Sequence, residues 1–264
     1  MNAVYDKVLK QEIYDKARSL GADLVKVCAA ESWEEEPLQP PEFWPQNIWP
    51  WVRSVIVLAI PLLYPMAASA PSMVYKEQYD TSNRIMDDMG YFLARYLTTE
   101  KHCRAFYFPR DCYDGMEVLL RNEAAAFSHV VAGYYAGLGS IGDSHNLITA
   151  EYGPRIRLVS VLTDALLEPD KKREDNLCIH CGICLKKCPA GCFREEREQD
   201  CTAASLYEFD KDKCTLYHMD LIKEHRFPCG YCATFCPVGE DLKLYRKEKV
   251  ITEQGKVHCQ TYGS

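Results

Sequence analysis

The stretch Cys178–Pro189, CIHCGICLKKCP, decides the reading of this chain, and Cys229–Pro237, CGYCATFCP, answers it further along. The first stretch spaces three cysteines as CxxCxxC, adds a fourth after three more residues and sets a proline directly behind it, the spacing of thiolates that hold iron–sulfur clusters. Paired CxxC motifs also occur in zinc ribbons. A zinc site, however, takes its four ligands from two CxxC knuckles. Here CxxCxxCxxxCP is complete in itself and its partner CxxCxxxCP also ends in proline, so the spacing selects iron–sulfur over zinc.

In bacterial two-cluster ferredoxins the fourth cysteine of such a run ligates the other cluster. That topology assigns Cys178, Cys181, Cys184 and the distant Cys236 to one four-iron cluster, and Cys188, Cys229 and Cys232 to a second. The second set is one thiolate short, and the missing ligand belongs upstream of Cys229. Cys192, Cys201 and Cys214 are the candidates. Cys214 is taken as the ligand, because DKDKCTLYHMD runs into an apolar-patterned helical segment as a cluster-binding loop does. The other two, with Cys28, Cys103, Cys112 and Cys259, read as thiols packed like small hydrophobes.

At 264 residues and 47% hydrophobic content, the chain is large enough for a sizeable core in front of these motifs and is not a bare ferredoxin. Lys plus Arg number 31 against 38 Asp plus Glu, a net charge of −7 that argues against a polyanion such as nucleic acid as the default partner. The chain has 14 cysteines whose two clustered runs carry metal-ligand spacings, and the start MNAVYDKVLKQEIYDKARSL has no continuous apolar segment, so a secreted disulfide framework is not indicated. A reducing, cytoplasmic compartment is expected. The longest apolar run, Val55 to Leu63, is interrupted by Pro61 and falls well short of the ~20 residues that span a bilayer, so no membrane association is expected.

Ahead of the motifs, apolar spacing predicts a helix from about Ala3 to Leu20 closed by Gly21, and a short strand over Leu24 to Cys28. Glu34 to Pro50 is rich in proline and reads as an irregular loop pinned by Trp44 and Trp49. Ser54 to Ile60, SVIVLAI, reads as a central strand covered on both faces. Ile85, Met86, Met89, Phe92, Leu93, Tyr96 and Leu97 define one face of an amphipathic helix in which both methionines are core. A strand is expected over Ala105 to Phe108, a helix over Val118 to Ala136 and a further strand over Ile156 to Leu162. Such intermixing makes the first unit a layered α/β domain. Glu168 to Asp175, EPDKKRED, is charged and carries a proline, as a linker would. The expected domains are therefore residues 1–167 and residues 168–264.

Gly137, Gly139 and Gly142 in GLGSIG satisfy GxGxxG, but a dinucleotide fold needs a strand before that pattern and a helix after it. Here a helix precedes it, and DSHNLITAEYGPR soon turns at Gly153 and Pro154. The glycines are read instead as positions where backbone comes close to a large flat ligand.

AGLGSIG at Ala136 to Gly142, LITAEYGPRIRLVSVLTD at Leu147 to Asp164 and the two cysteine motifs together resemble the family of epoxyqueuosine reductases and reductive dehalogenases. WVRSVIVLAIPL at Trp51 to Leu62 is similar to the family's early central strand, and KCTLY at Lys213 to Tyr217 to its ligand-bearing segment. LITAEYGPR is closer to the dehalogenase branch, and the likeness covers most of the chain. The resemblance implies an α/β, nitroreductase-like, corrinoid-binding domain followed by a ferredoxin-like domain with two 4Fe–4S clusters. It implies a base-off cobalamin, reduced through the clusters and used on an electrophilic substrate. Corrin contacts would come from Gly137, Gly139, Ser140, Gly142, Leu147 and Thr149. The family's proton donor stands at a set offset before AGLG, which lands on Glu123 in LLRNEAAAF. Tyr113, Tyr75 and Tyr79 stay open as alternative donors, with Arg110 or Arg155 as orienting groups. Asp143 and His145 match half of a DxHxxG cobalamin motif, but Ile148 stands at its glycine position, so His145 is read as a polar loop residue. Nitroreductase-like folds commonly hold a flavin, which stays open as the occupant of the first domain.

Two functions remain open at this level. One is a cobalamin-dependent oxidoreductase that removes halide or oxygen from a small molecule. The other is an electron-transfer or activase protein that reduces a corrinoid protein partner, or another cofactor, and does no substrate chemistry of its own. Either would work anaerobically and draw on a low-potential donor such as a ferredoxin or flavodoxin. Epoxyqueuosine reductases carry a helical-repeat region for tRNA after the cysteine motifs, whereas few residues follow Cys236, so tRNA is not expected as substrate. No twin-arginine signal opens the chain, in keeping with a cytoplasmic protein. The cluster holding Cys188 is expected to lie nearer the cofactor.

Overall fold

Ser54 to Ile60 are buried without exception, as a strand of β-branched and aliphatic residues must be when both faces of its sheet are covered. Around this strand the computed structural model describes residues 5–109, 116–120, 127–196, 207–245, 249–251 and 257–259. Its first half runs α1 (Lys7–Ser19), β1 (Leu24–Ala29), α2 (Ser32–Glu35), a 3-10 turn (Pro41–Phe43), α3 (Pro45–Ile48), β2 (Ser54–Pro61), α4 (Tyr64–Ala67), α5 (Met73–Thr99) and β3 (Ala105–Phe108). A second 3-10 turn (Met116–Leu120), α6 (His129–Tyr135), β4 (Ser140–Ile141), β5 (Leu147–Ile148) and β6 (Ile156–Thr163) complete that half. The cysteine-rich half contains α7 (Ile183–Lys186), β7 (Phe193–Glu196), β8 (Tyr207–Phe209), α8 (Lys211–Lys223), α9 (Tyr231–Thr234), α10 (Leu242–Tyr245), β9 (Lys249–Ile251) and β10 (Val257–Cys259).

The main sheet has the order β1-β2-β6-β3, with every pairing antiparallel. On one face α1 and α5 lay Ile13, Ala17, Met86, Met89, Leu93 and Leu97 against Ile56, Leu58, Val159 and Val161. On the other, Trp33 and α6 cover Val55, Val57 and Leu162. Each such aliphatic side chain removed from water contributes roughly 1.5–3 kcal/mol, which makes the double-sided burial of β2 the anchor of the fold. The helices start where the sequence supplies caps. Asp6 accepts from Leu9 N at 2.8 Å to open α1, and Ser72 accepts from Tyr75 N at 3.1 Å to open α5.

Two expectations need correction. Ile85 and Phe92 do not lie on the core face of α5; they are 42% and 44% exposed, because the buried stripe runs through Met86, Met89, Gly90, Leu93, Ala94 and Leu97. The helix expected over Val118 to Ala136 is not continuous. Ser128 adopts an extended conformation and accepts from Val131 N, so it caps a new helix, α6, that starts at His129.

The charged stretch before the cysteines is fastened to the first half. Asp170 accepts from Val27 N at 2.7 Å, pairs with Lys10 and bonds the Tyr14 hydroxyl, while Lys172 pairs with Glu36. The stretch is therefore packed along the first half and is not a free linker. No helix among the described residues is long and apolar enough to cross a membrane.

Candidate metal centre

Gly182 and Gly230 stand immediately before α7 and α9 with φ +68° and +74°. Glycine takes this left-handed conformation without a Cβ clash, and it lets the chain turn sharply between Cys181 and Cys184 and again between Cys229 and Cys232. The two half-motifs are thus built alike. α8, opened by Asp210 accepting from Lys213 N, brings Cys214 up to the second of them.

The thiols feel one another's charge, in two groups that overlap at Cys232. Cys184 is pushed up to about 12 by burial first, then by the charges of Asp143, Cys232, Cys178 and Cys236. Cys236, at about 11, is raised by burial and by Cys178 and Cys181, against the lowering effect of the Val238 backbone and Arg155. In the other group Cys214 reaches about 12 through burial, then Cys232, Cys229 and Cys188, and Cys229 about 11 through burial, Cys232 and Cys188. Cys178, Cys181, Cys184, Cys232 and Cys236 line one cavity. Desolvated thiols that repel one another's charge stay protonated. A cationic iron–sulfur core among each four removes both obstacles to the thiolate, so the chemistry of these donors fits such a group.

Cys192, a candidate ligand read as a thiol packed like a small hydrophobe, lies beside Cys188. It is 1% exposed, its N–H donates to Cys188 Sγ at 3.4 Å, and its carbonyl accepts from Asp210 N at 2.7 Å. Burial first, then a hydrogen bond to Cys188 and the charge of Cys214, raise its pKa. Cys112, Cys201 and the side chain of Cys259 lie outside the described residues.

Polar groups that sequence reasoning passed over surround both sets. His180, between Cys178 and Cys181, meets both oxygens of the buried Asp143 through Nδ1, at 3.0 and 3.1 Å. Asn146 Nδ2 donates to Cys232 Sγ at 3.4 Å, and Cys229 N donates to His218 Nε2 at 3.2 Å. Burial holds His218 down to about 4, so its Nε2 is an acceptor. His145 packs its ring against Phe209, as a loop residue. Arg155, an orienting candidate for a proton donor, is instead a clamp: with no exposed side-chain surface, it pairs with Asp241 and donates to the carbonyls of Cys236 and Val238.

The six residues expected to touch a corrin have other work within the described structure. A Cβ on Gly139 would lie 2.1 Å from the Ile148 carbonyl oxygen, and one on Gly137 2.2 Å from that of Lys171. A Cβ on Gly142 would meet the Ile148 side chain at 2.3 Å. Ser140 donates to Asp175 O and accepts from Leu177 N, Thr149 donates to Gly153 O, and Leu147 fills the space over Gly133. The close approach at Gly137 and Gly139 is to the chain's own backbone, and at Gly142 to the Ile148 side chain. Glu123 and Tyr113 lie outside the described residues.

A different part of the first half does contain buried polar atoms in want of partners. β3 pairs with β6 only as far as Ser160, leaving the run from Arg157 to Val159 with β2 on one side and no strand on the other among the described residues. Near it Asn83 Nδ2, Gln78 Oε1 and His129 Nε2 are buried without a hydrogen-bond partner. Buried polar atoms of this kind cost roughly 1–3 kcal/mol each unless a ligand or water satisfies them. Of these, Gln78 Oε1 and His129 Nε2 fit a cofactor rimmed with amides, as a corrin is. Tyr75 stands between Arg157 and the second thiol group: a Cβ on Gly230 would lie 2.8 Å from its hydroxyl, and its pKa, raised by burial, is lowered by Arg157 and raised by Cys232 and Cys229.

No family model matches the chain. It is 26% identical over 198 residues to the tetrachloroethene reductive dehalogenase of Desulfitobacterium hafniense, covering 70% of this chain and 32% of that protein. With the epoxyqueuosine reductase of Bacillus cereus it shares 24% identity over 257 residues, 90% of this chain and 66% of the other. Among solved structures, a catabolic reductive dehalogenase superposes with a TM-score of 0.66 at 21% identity, over 88% of this chain and 33% of that one. Epoxyqueuosine reductase from Streptococcus thermophilus gives 0.58 at 17% identity, over 87% of this chain and 65% of its own. These two likenesses are likenesses of fold. The chain spans about a third of the length of the dehalogenases it matches.

Proposed function

We propose, for a chain that belongs to the family of reductive dehalogenases and epoxyqueuosine reductases, a cobalamin-dependent, iron–sulfur reductase of a small electrophilic substrate, of the dehalogenating or deoxygenating type. Residues 1–167 would form its nitroreductase-like, corrinoid-binding half, and residues 168–264 its ferredoxin-like half. Two 4Fe–4S clusters, on Cys178, Cys181, Cys184 and Cys236 and on Cys188, Cys214, Cys229 and Cys232, would supply electron transfer, and a bound cobalamin the reduction of the substrate's electrophilic atom.

One observation carries this reading: eight cysteines, all but the exposed Cys181 buried or half-buried, whose thiols act on one another's charge, with Tyr75 packed against Gly230 between Cys229 and Cys232 and close to buried polar atoms that lack partners. The chain's residues divide the remaining tasks. Cys181, the exposed member of the first group, marks the side where a low-potential donor such as a ferredoxin or flavodoxin would deliver electrons. Arg155 holds the second half-motif against the first domain, and Asn146 and the Cys192 N–H donate to ligand sulfurs, which favours the reduced state by spreading added negative charge. The net charge of −7 favours a small molecule over tRNA as substrate.

Anaerobic reconstitution tests the proposal. The protein should retain about eight iron atoms per chain and, after gel filtration, a stoichiometric corrinoid visible in its absorption spectrum. Full clusters that exchange electrons with flavodoxin, in a protein that binds no corrinoid, would sink the enzyme reading and leave an electron-transfer protein. A flavin spectrum would replace the cofactor.

A further inference from the structure

Among the described residues, Arg157 has no carboxylate for a partner. It extends from β6, its guanidinium carbon lies 4.4 Å from the centre of the Tyr79 ring, and its Nε donates to Asn83 Oδ1 at 2.8 Å. Its Nη2 stands 3.4 Å from the Tyr79 hydroxyl, and among the described residues no carboxylate pairs with it. Contact with the guanidinium settles how the Asn83 amide sits, because only its oxygen can accept from Nε. The amide nitrogen must then face the other way, and there, in a side chain with no exposed surface, it has no acceptor. A half-buried guanidinium and a buried amide N–H, both short of acceptors, describe a place prepared for negative charge.

We propose that Arg157 and Asn83 form an anion-recognition element, and that the substrate is a small organic acid whose carboxylate docks there. This rests on the reductase reading above and deepens it. A single guanidinium matches the single charge of a carboxylate, and its planar fork pairs with the two carboxylate oxygens. The placement also suits reduction. Tyr79 is one helical turn from Tyr75 on α5, and Tyr75 packs on Gly230 between Cys229 and Cys232. A molecule held by its carboxylate at Arg157 would therefore be anchored two aromatic rings from the second thiol group. A neutral substrate would leave the cation and the amide nitrogen unsatisfied, so the site discriminates by charge.

Binding of a matched pair to the reconstituted holoprotein tests this, with 3-chlorobenzoate as the acid and 3-chlorobenzamide as its neutral counterpart, read by calorimetry and by ligand-observed NMR. The acid should bind at least tenfold more tightly than the amide. Arg157→Gln should bring that ratio to about one, and Arg157→Lys, which keeps the charge, should restore part of it. Asn83→Leu should lower acid affinity several-fold while leaving the amide unchanged. Equal binding of the two probes, binding of neither, or an unaltered ratio in Arg157→Gln would overturn the proposal. So would a loss in Arg157→Gln of affinity for cobalamin but not for cobinamide, which lacks the phosphate, since the anion would then belong to the cofactor. Iron content and corrinoid retention are measured on each variant. If both stay at wild-type levels while the ratio fails, the anion site falls and the reductase reading stands.

Discussion

Arg155 and Asp241 face each other through two parallel hydrogen bonds, Nε to Oδ2 at 2.8 Å and Nη2 to Oδ1 at 2.7 Å, with no part of the arginine side chain exposed. The same guanidinium donates to the carbonyls of Cys236 and Val238, at 2.9 and 2.7 Å. It thereby ties β6 of the first half to the segment that carries the last cysteine of the second motif. Removing one partner of a buried pair leaves the other charge uncompensated, at a cost of about 3–5 kcal/mol. Asp241→Asn is therefore expected to lower unfolding stability by that order and to yield protein with less iron, because Cys236 loses its fixed position. Chemical denaturation and iron analysis check both, and an unchanged midpoint with full iron would show that the clamp is dispensable.

The second thiol group offers a sharper comparison, since Cys192 and Cys214 both lie beside Cys188. With Cys214 as the fourth ligand, Cys214→Ser should lose about half of the bound iron or give an altered cluster signal in electron paramagnetic resonance. Cys192→Ser should keep all of it. The reverse pattern would hand the ligand role to Cys192.

Much of this was legible in the sequence, and the reasons differ by element. β2 could be read because uninterrupted β-branched burial has one structural meaning, and Cys178 to Cys188 because ligand spacing is set by cluster geometry. α5 was legible as a helix but not in its rotation, since Ile85 and Phe92 sit at spacings that either face accepts and only packing against β6 decides. Arg157, Asn83 and His180 left no signal. Their roles come from residues far away in sequence, and a lone arginine or asparagine on a strand or helix carries no periodicity. The glycines of GLGSIG were legible as a place of close approach, while what approaches, the Ile148 and Lys171 carbonyls, is a tertiary fact.

That last point has a measurable consequence. Gly139→Ala would press a methyl group onto the Ile148 carbonyl oxygen at 2.1 Å, and backbone cannot rotate away as a side chain can. A loss of about 3 kcal/mol or more is expected, at the top of the usual range for overpacking. Gly21→Ala is the control: φ there is +103° and the nearest atom, Met89 Sδ, is 4.0 Å away, so only backbone strain of about 1–2 kcal/mol is expected. Equal losses in the two variants would mean that the loop carrying Gly139 yields readily.

His129 predicts a pH dependence. Its Nδ1 is hydrogen-bonded to the Ser160 hydroxyl at 2.9 Å, its Nε2 is buried without a partner, and burial, followed by the charge of Arg157, holds its pKa at about 4. An unfolded histidine titrates near 6.5, so between about pH 6.5 and pH 4 the unfolded chain binds a proton that the native state does not. Stability from this residue is therefore complete above pH 6.5 and drains away as pH falls, by up to about 3 kcal/mol at pH 4. His129→Gln keeps a hydrogen-bonding group and cannot titrate. Denaturant unfolding of both proteins at pH 7.5, 6 and 5 should show the wild type losing its advantage over the variant as the pH drops, while acid effects on any bound cluster are common to both and cancel in the difference. A constant difference across the three pH values would place the native pKa of His129 near its ordinary value, and would mean that solvent reaches its ring.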